Sequence, residues 1–172
     1  IYVFDNNGTL VAHPKAPVGT GMIYCDNEGD YWLCTEKTMY KYNTAREEAT
    51  PVANLDGWGL SCFVEDKAGR LYVSNFGKGL FVYDKKKGTS KSFSMNQYSK
   101  TKGYRWNDWI MAMTIDRRGM LWIATAKGVS RMNTKTGGFT KFDGDCLLPE
   151  TNCTAIAEDR DGNIYVGTNS GL

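Results

Sequence analysis

The sequence predicts an all-β fold, a β-propeller made of four-stranded antiparallel blades. An Asp-x-x-Gly element followed by an apolar and aromatic run occurs four times, beginning at Asp26, Asp66, Asp116 and Asp159. The intervals of 40, 50 and 43 residues between these copies are typical of one propeller blade. No long window carries the 3.6-residue apolar period of a helix. A lone sheet that is apolar on both faces cannot shield itself, so the repeats are expected to stack as neighbouring blades.

The repeat at Asp116 shows how each blade is expected to form. Residues 110–115 suit a first strand, and the Asp-x-x-Gly element then makes a tight turn, because Asp accepts hydrogen bonds from turn amides and Gly tolerates positive φ. The β-branched and aromatic run 121–124 suits a second strand. A glycine hinge leads to a third strand at 129–132, and a second turn leads to a fourth at 139–142.

The repeats predict a single propeller segment with about four blades' worth of strands. Half blades are expected at both ends and whole blades between them: 1–12 (half), 19–53, 59–94 and 109–142 (whole), and 152–172 (half). Because the chain begins with Ile1 rather than Met, we expect an internal piece of a longer protein. Closure of the halves on each other, a place in a larger ring and pairing between two chains all fit this pattern.

Composition and charge exclude several classes of partner. The net charge is +2, and the only block of like charge is Lys85-Lys86-Lys87, which we interpret as a solvated turn. We therefore predict no nucleic-acid partner. No apolar stretch approaches the roughly 20 residues that span a bilayer, so no direct membrane contact is predicted.

The residues with catalytic or metal-binding chemistry are few. The single histidine, His13, excludes a His-rich metal site and a catalytic triad by count, and we interpret it as an exposed loop residue. The five cysteines have no zinc spacing, and whether Cys146 and Cys153 form a disulfide is left open. The acidic run 159–163 is interpreted as a hairpin turn, because the other repeats carry unrelated residues there. We predict no catalytic residue, no metal and no cofactor.

The residues of the later repeats carry a family resemblance. The run from Asp116 to Val129, Asp-x-x-Gly-x-Leu-Trp-Ile-Ala-Thr-x-x-Gly-Val, resembles the two-component regulator propeller repeat, and the run from Glu158 to Leu172 is similar to it throughout. The repeat at Asp26 departs from the pattern because it lacks the hinge glycine. The repeat at Asp66 departs less, with Asn75 in place of Thr and one extra hinge residue.

The resemblance implies a place in a signalling receptor. In that family, tandem seven-bladed propellers form the extracytoplasmic sensor of hybrid two-component histidine kinases of Bacteroides-type bacteria, which often respond to glycan fragments. It therefore implies that this chain is a periplasmic ligand-sensing segment of an inner-membrane receptor and part of a seven-bladed ring. The family's kinase and DNA-binding regions have no counterpart in this sequence, and the repeat carries no universal catalytic set.

The strongest candidate site lies where the repeat is interrupted, between Phe93 and Ile110. Blade-to-blade connections and the hinges between second and third strands emerge at one face of a propeller, and this connection is rich in aromatic and polar residues. Aromatic rings stack on sugar C–H surfaces, while Arg, Asn and Asp bond hydroxyl or acidic groups. The predicted ligand-binding residues are Trp58, Lys78, Tyr104, Arg105, Trp106, Asn107, Asp108, Trp109 and Lys127. The alternative is that Trp106 and Trp109 cap the core.

Other aromatic residues recur at one repeat position. Trp32, Tyr72, Trp122 and Tyr165 each lie six residues after the turn Asp. Because every repeat carries such a residue, we interpret them as packing between blades rather than as a binding stripe.

These observations favour a non-catalytic sensing segment that recognises a carbohydrate or similar polar ligand. Its expected protein partners are neighbouring blades or a second sensor subunit. Two other functions stay open, namely a protein–protein interaction or dimerisation scaffold, and a propeller lyase or hydrolase. The latter would require, for glycoside hydrolysis, a matched pair of carboxylates.

Overall fold

The computed structural model describes residues 1–55, 62–95, 108–142 and 152–169. Within these ranges every regular element is a β-strand and every strand pairing is antiparallel. The predicted all-β architecture with four-stranded antiparallel sheets is confirmed. No membrane-spanning helix occurs in this part of the chain. The chain divides into two compact units, Ile1–Asp56 and Gly57–Leu172.

The first unit contains a two-stranded and a four-stranded sheet, each with its strands in chain order. The two-stranded sheet is formed by β1 (Val3–Phe4) and β2 (Leu10–Ala12). The four-stranded sheet is formed by β3 (Met22–Cys25), β4 (Tyr31–Cys34), β5 (Thr38–Asn43) and β6 (Glu48–Asn54).

The second unit contains two four-stranded sheets and a two-stranded hairpin. The first sheet is formed by β7 (Phe63–Glu65), β8 (Arg70–Asn75), β9 (Gly79–Asp84) and β10 (Thr89–Phe93). The second sheet is formed by β11 (Ile110–Ile115), β12 (Met120–Thr125), β13 (Gly128–Asn133) and β14 (Phe139–Phe142). The hairpin is formed by β15 (Cys153–Glu158) and β16 (Ile164–Thr168).

The Asp-x-x-Gly turns share one hydrogen-bonding pattern. In the turn between β11 and β12, Asp116 Oδ1 accepts hydrogen bonds from the backbone amides of Arg118 (2.9 Å) and Met120 (2.8 Å). The amide of Gly119 donates to the Asp116 carbonyl at 2.9 Å, and its φ of 80° explains the glycine. The turns at Asp26, Asp66 and Asp159 repeat these bonds. The β1–β2 turn at Asp5 has the same pattern.

The turns between third and fourth strands are one residue longer. In the turns that begin at Asp84 and Asn133, the first side chain accepts amide hydrogen bonds from the second and third residues after it. Gly88 and Gly137 follow with φ values of 63° and 74°. In the corresponding turn of the first unit this place is taken by Glu47, with a φ of 53°. Glu47 is therefore a non-glycine residue in a left-handed conformation that glycine adopts at less cost.

The core of the second unit lies between its sheets. Tyr72 and Leu80 of one sheet form a cluster with Ile110, Met113 and Leu121 of the next, and all five are buried. A smaller cluster on the other face of the second sheet joins Ala124, Val129 and half-buried Trp122 to β15 and β16. Cys153, a buried free cysteine, belongs to this cluster, and Cys146 lies outside the described residues. Packing between sheets is thus the role of Tyr72 and Trp122, as predicted.

The recurring aromatic position also has a polar role that the sequence analysis missed. In three of the Asp-x-x-Gly turns, the carboxylate Oδ2 of the turn Asp accepts a hydrogen bond from the aromatic side chain six residues later, whereas Asp159 Oδ2 accepts one from Asn163. The observed pairs are Trp32 with Asp26 at 2.8 Å, Tyr72 with Asp66 at 2.9 Å and Trp122 with Asp116 at 2.8 Å. The same Asp therefore organises the turn with one oxygen and fixes the buried ring with the other.

Candidate functional site

The described part of the candidate site lies where the β10–β11 connection leaves and re-enters the sheets. Ser94 and Met95 follow β10, Asp108 and Trp109 precede β11, and they meet the β8–β9 hinge around Gly77. Lys78 lies on that hinge and Lys127 on the β12–β13 hinge. The other predicted binding residues lie outside the described residues: Trp58, Tyr104, Arg105, Trp106 and Asn107.

Asp108 joins the two ends of this connection. Its side chain is 5% exposed, and its carboxylate accepts hydrogen bonds from the Met95 amide (2.5 Å) and from the Ser94 hydroxyl (2.9 and 3.1 Å). Its carbonyl also accepts a hydrogen bond from the Gly77 amide at 3.2 Å. The carboxylate therefore holds the base of the connection closed.

Gly79 makes the close approach of these segments possible. A Cβ at this position would lie 2.3 Å from the Phe93 carbonyl oxygen and 2.9 Å from Asp108 Oδ1, and the φ of 90° disfavours other residues. The hinge glycine that the sequence marks as part of the repeat is thus also required by Asp108.

Trp109 supplies an aromatic surface at the same end of the sheets. The centroid of its ring lies 4.3 Å from the centroid of the Phe76 ring, with an angle of 36° between the ring planes. Its carbonyl accepts a hydrogen bond from the amide of Ala126 at 3.0 Å, which fixes the β12–β13 hinge against it. Both rings are half-buried, so each keeps part of its surface toward solvent.

Two lysines lie on the hinges at this end of the sheets. Lys78 is exposed, while Lys127 is half-buried and its amide donates to the Thr125 hydroxyl at 3.1 Å. That hydroxyl in turn donates to the Gly128 carbonyl at 2.9 Å, so the hinge is held by its own side chains. This end of the sheets therefore carries two aromatic rings, two lysines and one carboxylate held by hydrogen bonds.

The sequence identified Asp108 and Trp109 but not how they are held. The role of Ser94 as a hydrogen-bond donor to Asp108, and the contact between Phe76 and Trp109, join residues far apart in the sequence. The extra residue in the hinge 75–79 and Asn75 in place of Thr were the signals in the sequence that this hinge differs from its counterparts.

Acidic side chains converge at one place in the described residues. Oxygen atoms of Asp26, Glu28 and Asp30 lie within 4.8 Å of one another in the β3–β4 turn. Asp26 already accepts from two turn amides and from Trp32, and Asp30 pairs with Lys41 at 2.5 Å. The hydrogen-bonding of the turn accounts for this cluster.

The family comparison adds to this geometry. Residues 147–170, which include β15, the Asp159 turn and β16, match the family described as "Two component regulator propeller". The chain carries a two component regulator propeller repeat. The resemblance inferred from the sequence is confirmed by this match. No curated protein matches the chain.

Solved structures with the same propeller fold include extracellular domains of bacterial proteins. The extracellular domain of a B. thetaiotaomicron protein named as a hybrid two component system is 19% identical, with a TM-score of 0.74 over 99% of this chain and 24% of its own. The extracellular domain of another B. thetaiotaomicron protein, named as a one component system, is 26% identical, with a TM-score of 0.64 over 85% of this chain and 21% of its own. The propeller segment thus spans about a quarter of these structures or less.

An enzyme also shares the fold. Virginiamycin B lyase from Staphylococcus aureus is 14% identical, with a TM-score of 0.70 over 98% of this chain and 59% of its own. At this identity the similarity shows the propeller fold alone.

Proposed function

We propose that this chain is a ligand-sensing segment of the periplasmic propeller of a two-component signalling receptor. The observation that carries the proposal is the repeat match together with structural similarity to extracellular receptor domains. In this proposal the segment binds a carbohydrate or similar polar ligand and performs no reaction on it. Binding would reach a kinase by shifting a conformational equilibrium in the parent receptor.

The aromatic pair of Phe76 and Trp109 supports the choice of ligand. The ring centroids lie 4.3 Å apart, and both residues are partly exposed. Lys78 and Lys127 lie on the adjoining hinges, and lysine donors suit hydroxyl groups. Asp108 takes a positioning role in this proposal, because its carboxylate is bonded to Ser94 and Met95.

The carboxylates of the same cluster favour binding without catalysis. Glycoside hydrolysis uses two carboxylates on either side of the scissile bond. In the described part of the cluster Asp108 is the one carboxylate, and it is buried and bonded to the protein. This supports recognition rather than turnover.

Calorimetric titration of neutral and acidic oligosaccharides into the chain tests the proposal. Trp109→Ala is expected to weaken binding about tenfold or more, because burying a large apolar side chain against a ligand contributes about 1.5–3 kcal/mol. Trp106→Ala and Arg105→Ala test the part of the predicted site outside the described residues. The matched control is Tyr165→Ala, which removes an aromatic side chain that is 52% exposed elsewhere.

The outcomes separate the three candidate functions. Binding that is lost in Trp109→Ala and kept in Tyr165→Ala, without product, supports sensing. Formation of a product, detected chromatographically, would overturn it in favour of an enzyme. Dimerisation through the connection between Phe93 and Ile110, with no binding of any glycan, would favour a scaffold.

A further inference from the structure

A basic groove lies at the opposite ends of the strands from the candidate site. It has a volume of about 330 Å³ and runs between the Asp66 turn of the first sheet of the second unit and the Asp116 and Thr134 turns of the next sheet. Its charged lining residues are Asp66, Lys67, Arg70, Asp116, Arg117, Arg118 and Lys135. Five cations thus face two carboxylates, and the groove has a net positive charge.

Both carboxylates of the groove are engaged by the protein. Asp66 accepts from two turn amides and from Tyr72, and it pairs with the Arg70 guanidinium at 2.6 Å. Asp116 accepts from two turn amides and from Trp122. Asp66 is thus neutralised by Arg70, whereas Asp116 keeps one negative charge against Lys67, Arg118 and Lys135, so the groove stays net positive.

Three of those cations have no partner in the described part of the chain. Lys67, Arg118 and Lys135 are exposed, and their side chains form no ion pair or hydrogen bond with any described residue. Their turns are held in place, since the Thr134 hydroxyl donates to the Gly119 carbonyl at 2.7 Å. The three charges are thus carried on ordered turns around one cavity.

The next junction along the chain contains an acidic partner that the basic groove lacks. Between the second sheet and the β15–β16 hairpin, Arg117 immediately follows the turn Asp, and it pairs with Glu158, which immediately precedes the next turn Asp. The guanidinium also donates to the carbonyls of Asp159, at 2.6 Å, and of Arg160. This junction is therefore closed by a cation that has an acidic partner.

In the basic groove the corresponding pair is Lys67 and Ile115. Lys67 immediately follows its turn Asp, but the residue that immediately precedes the next turn Asp is Ile115, so no acidic partner is present. Glu65, which holds that position in the first sheet, is buried and pairs with Lys85 at 2.6 Å. The replacement of an acid by isoleucine leaves this junction open and cationic.

We propose that this groove binds a phosphate or sulfate group, with Lys67, Arg118 and Lys135 as its ligands. Oxyanions accept charge-assisted hydrogen bonds from ammonium and guanidinium groups, and guanidinium geometry suits two oxygens of one group. The volume exceeds that of the group alone, so the groove has room for the molecule that carries it. The site is separate from the proposed sensing site around Trp109.

Calorimetric titration of sodium sulfate and of sodium phosphate into the 172-residue chain at low ionic strength tests the proposal. Binding of one or both is expected, and added sodium chloride should weaken it by screening. The double variant Lys67→Gln/Arg118→Gln should lose about tenfold or more in affinity, because it removes two of the three charged donors of the groove. The control Lys87→Gln/Lys91→Gln removes the same charge outside the groove and should bind as the parent does.

A second pair of variants at Ile115 tests the effect of an acidic partner in the groove. Ile115→Glu places a carboxylate where Glu158 stands at the closed junction, and it should pair with Lys67 and weaken binding several-fold. Ile115→Gln has the same size without the charge, and it should bind more tightly than Ile115→Glu. Thermal unfolding of each variant verifies that it is folded.

Two results would rule out the anion site in the basic groove. No binding of either anion by the parent chain overturns the proposal, as does an equal loss in the groove variant and its control. Binding of sulfate alone or of phosphate alone supports it and identifies the group.

Discussion

Tyr72 and Tyr165 occupy the same position of the repeat, yet one is completely buried and the other is 52% exposed. Both follow an Asp-x-x-Gly turn by the same number of residues, and both turns have the same amide hydrogen bonds. Tyr72 packs against Ile110 and Leu121 of the next sheet, whereas no sheet among the described residues covers Tyr165. The turn is therefore a local structure, while the burial of the ring depends on a neighbouring sheet.

The structure corrects one expectation from the sequence. The run Lys85-Lys86-Lys87 was interpreted as a solvated turn, but the side chain of Lys85 is buried in an ion pair with Glu65. At the recurring aromatic position, Tyr72 and Trp122 pack between sheets as interpreted.

The largest effect is expected from removing the two rings. Tyr72→Ala should lower the free energy of unfolding by about 4 kcal/mol, because it leaves a cavity between two sheets. Tyr165→Ala should change it by only about 0.5 kcal/mol, as is usual for an exposed side chain. Urea denaturation of both variants measures the difference, and equal losses would show that the two rings are equally buried in solution.

The next largest loss of stability is expected when only the hydroxyl of Tyr72 is removed. Tyr72→Phe keeps the packing but removes the donor to Asp66, which lies at 2.9 Å. We expect a loss of about 1.5–2 kcal/mol in the same denaturation experiment, the range for a hydrogen bond to a charged group. Tyr165→Phe is the control and should cost less, because its hydrogen bond to Asp159 is made at an exposed site. If it cost as much as Tyr72→Phe, the comparison between the two sites would fail.

A smaller effect of opposite sign is expected at a turn that breaks the repeat pattern. Glu47 has a φ of 53° where Gly88 and Gly137 stand in the second unit. Glu47→Gly should therefore raise the stability of the first unit by about 1 kcal/mol. Thermal unfolding measures this gain, with Gly88→Ala as the reciprocal variant that should destabilise the second unit. A loss of stability in Glu47→Gly would contradict the strain argument.

The smallest effect concerns acid sensitivity of the exposed hairpin. Hydrogen bonds from the side chain and amide of Asn163, with further bonds from Asp161 and Tyr165, lower the pKa of Asp159 to about 2. Because the folded hairpin binds this proton more weakly than the unfolded chain does, the contribution is complete above about pH 4 and is lost as the pH falls toward 2. NMR titration of the Asp159 carboxyl measures the pKa, and Asn163→Ala should raise it. An unchanged value in that variant would exclude Asn163 as its cause.

The candidate site shows where prediction from sequence stops. Trp109 and Asp108 were identified because the connection that carries them interrupts the repeat. Nothing in the residue pattern indicates that the Asp108 carboxylate is bonded to Ser94 and Met95, since those contacts need two distant ends of a connection to meet. The basic groove could not be predicted from the sequence either, because Lys67 and Arg118 come from different sheets.

The sequence by itself determined the strands, the order in which they pair and the turns that join them. These features depend on contacts between residues close in the chain, such as Asp116 with the amides of Arg118 and Met120. Only the tertiary structure decided which equivalent residues are buried, which charges are paired and which junction stays open. Desolvation and pairing depend on the neighbouring sheet, so Tyr72 and Tyr165, or Lys67 and Arg117, differ although the repeat gives them the same position.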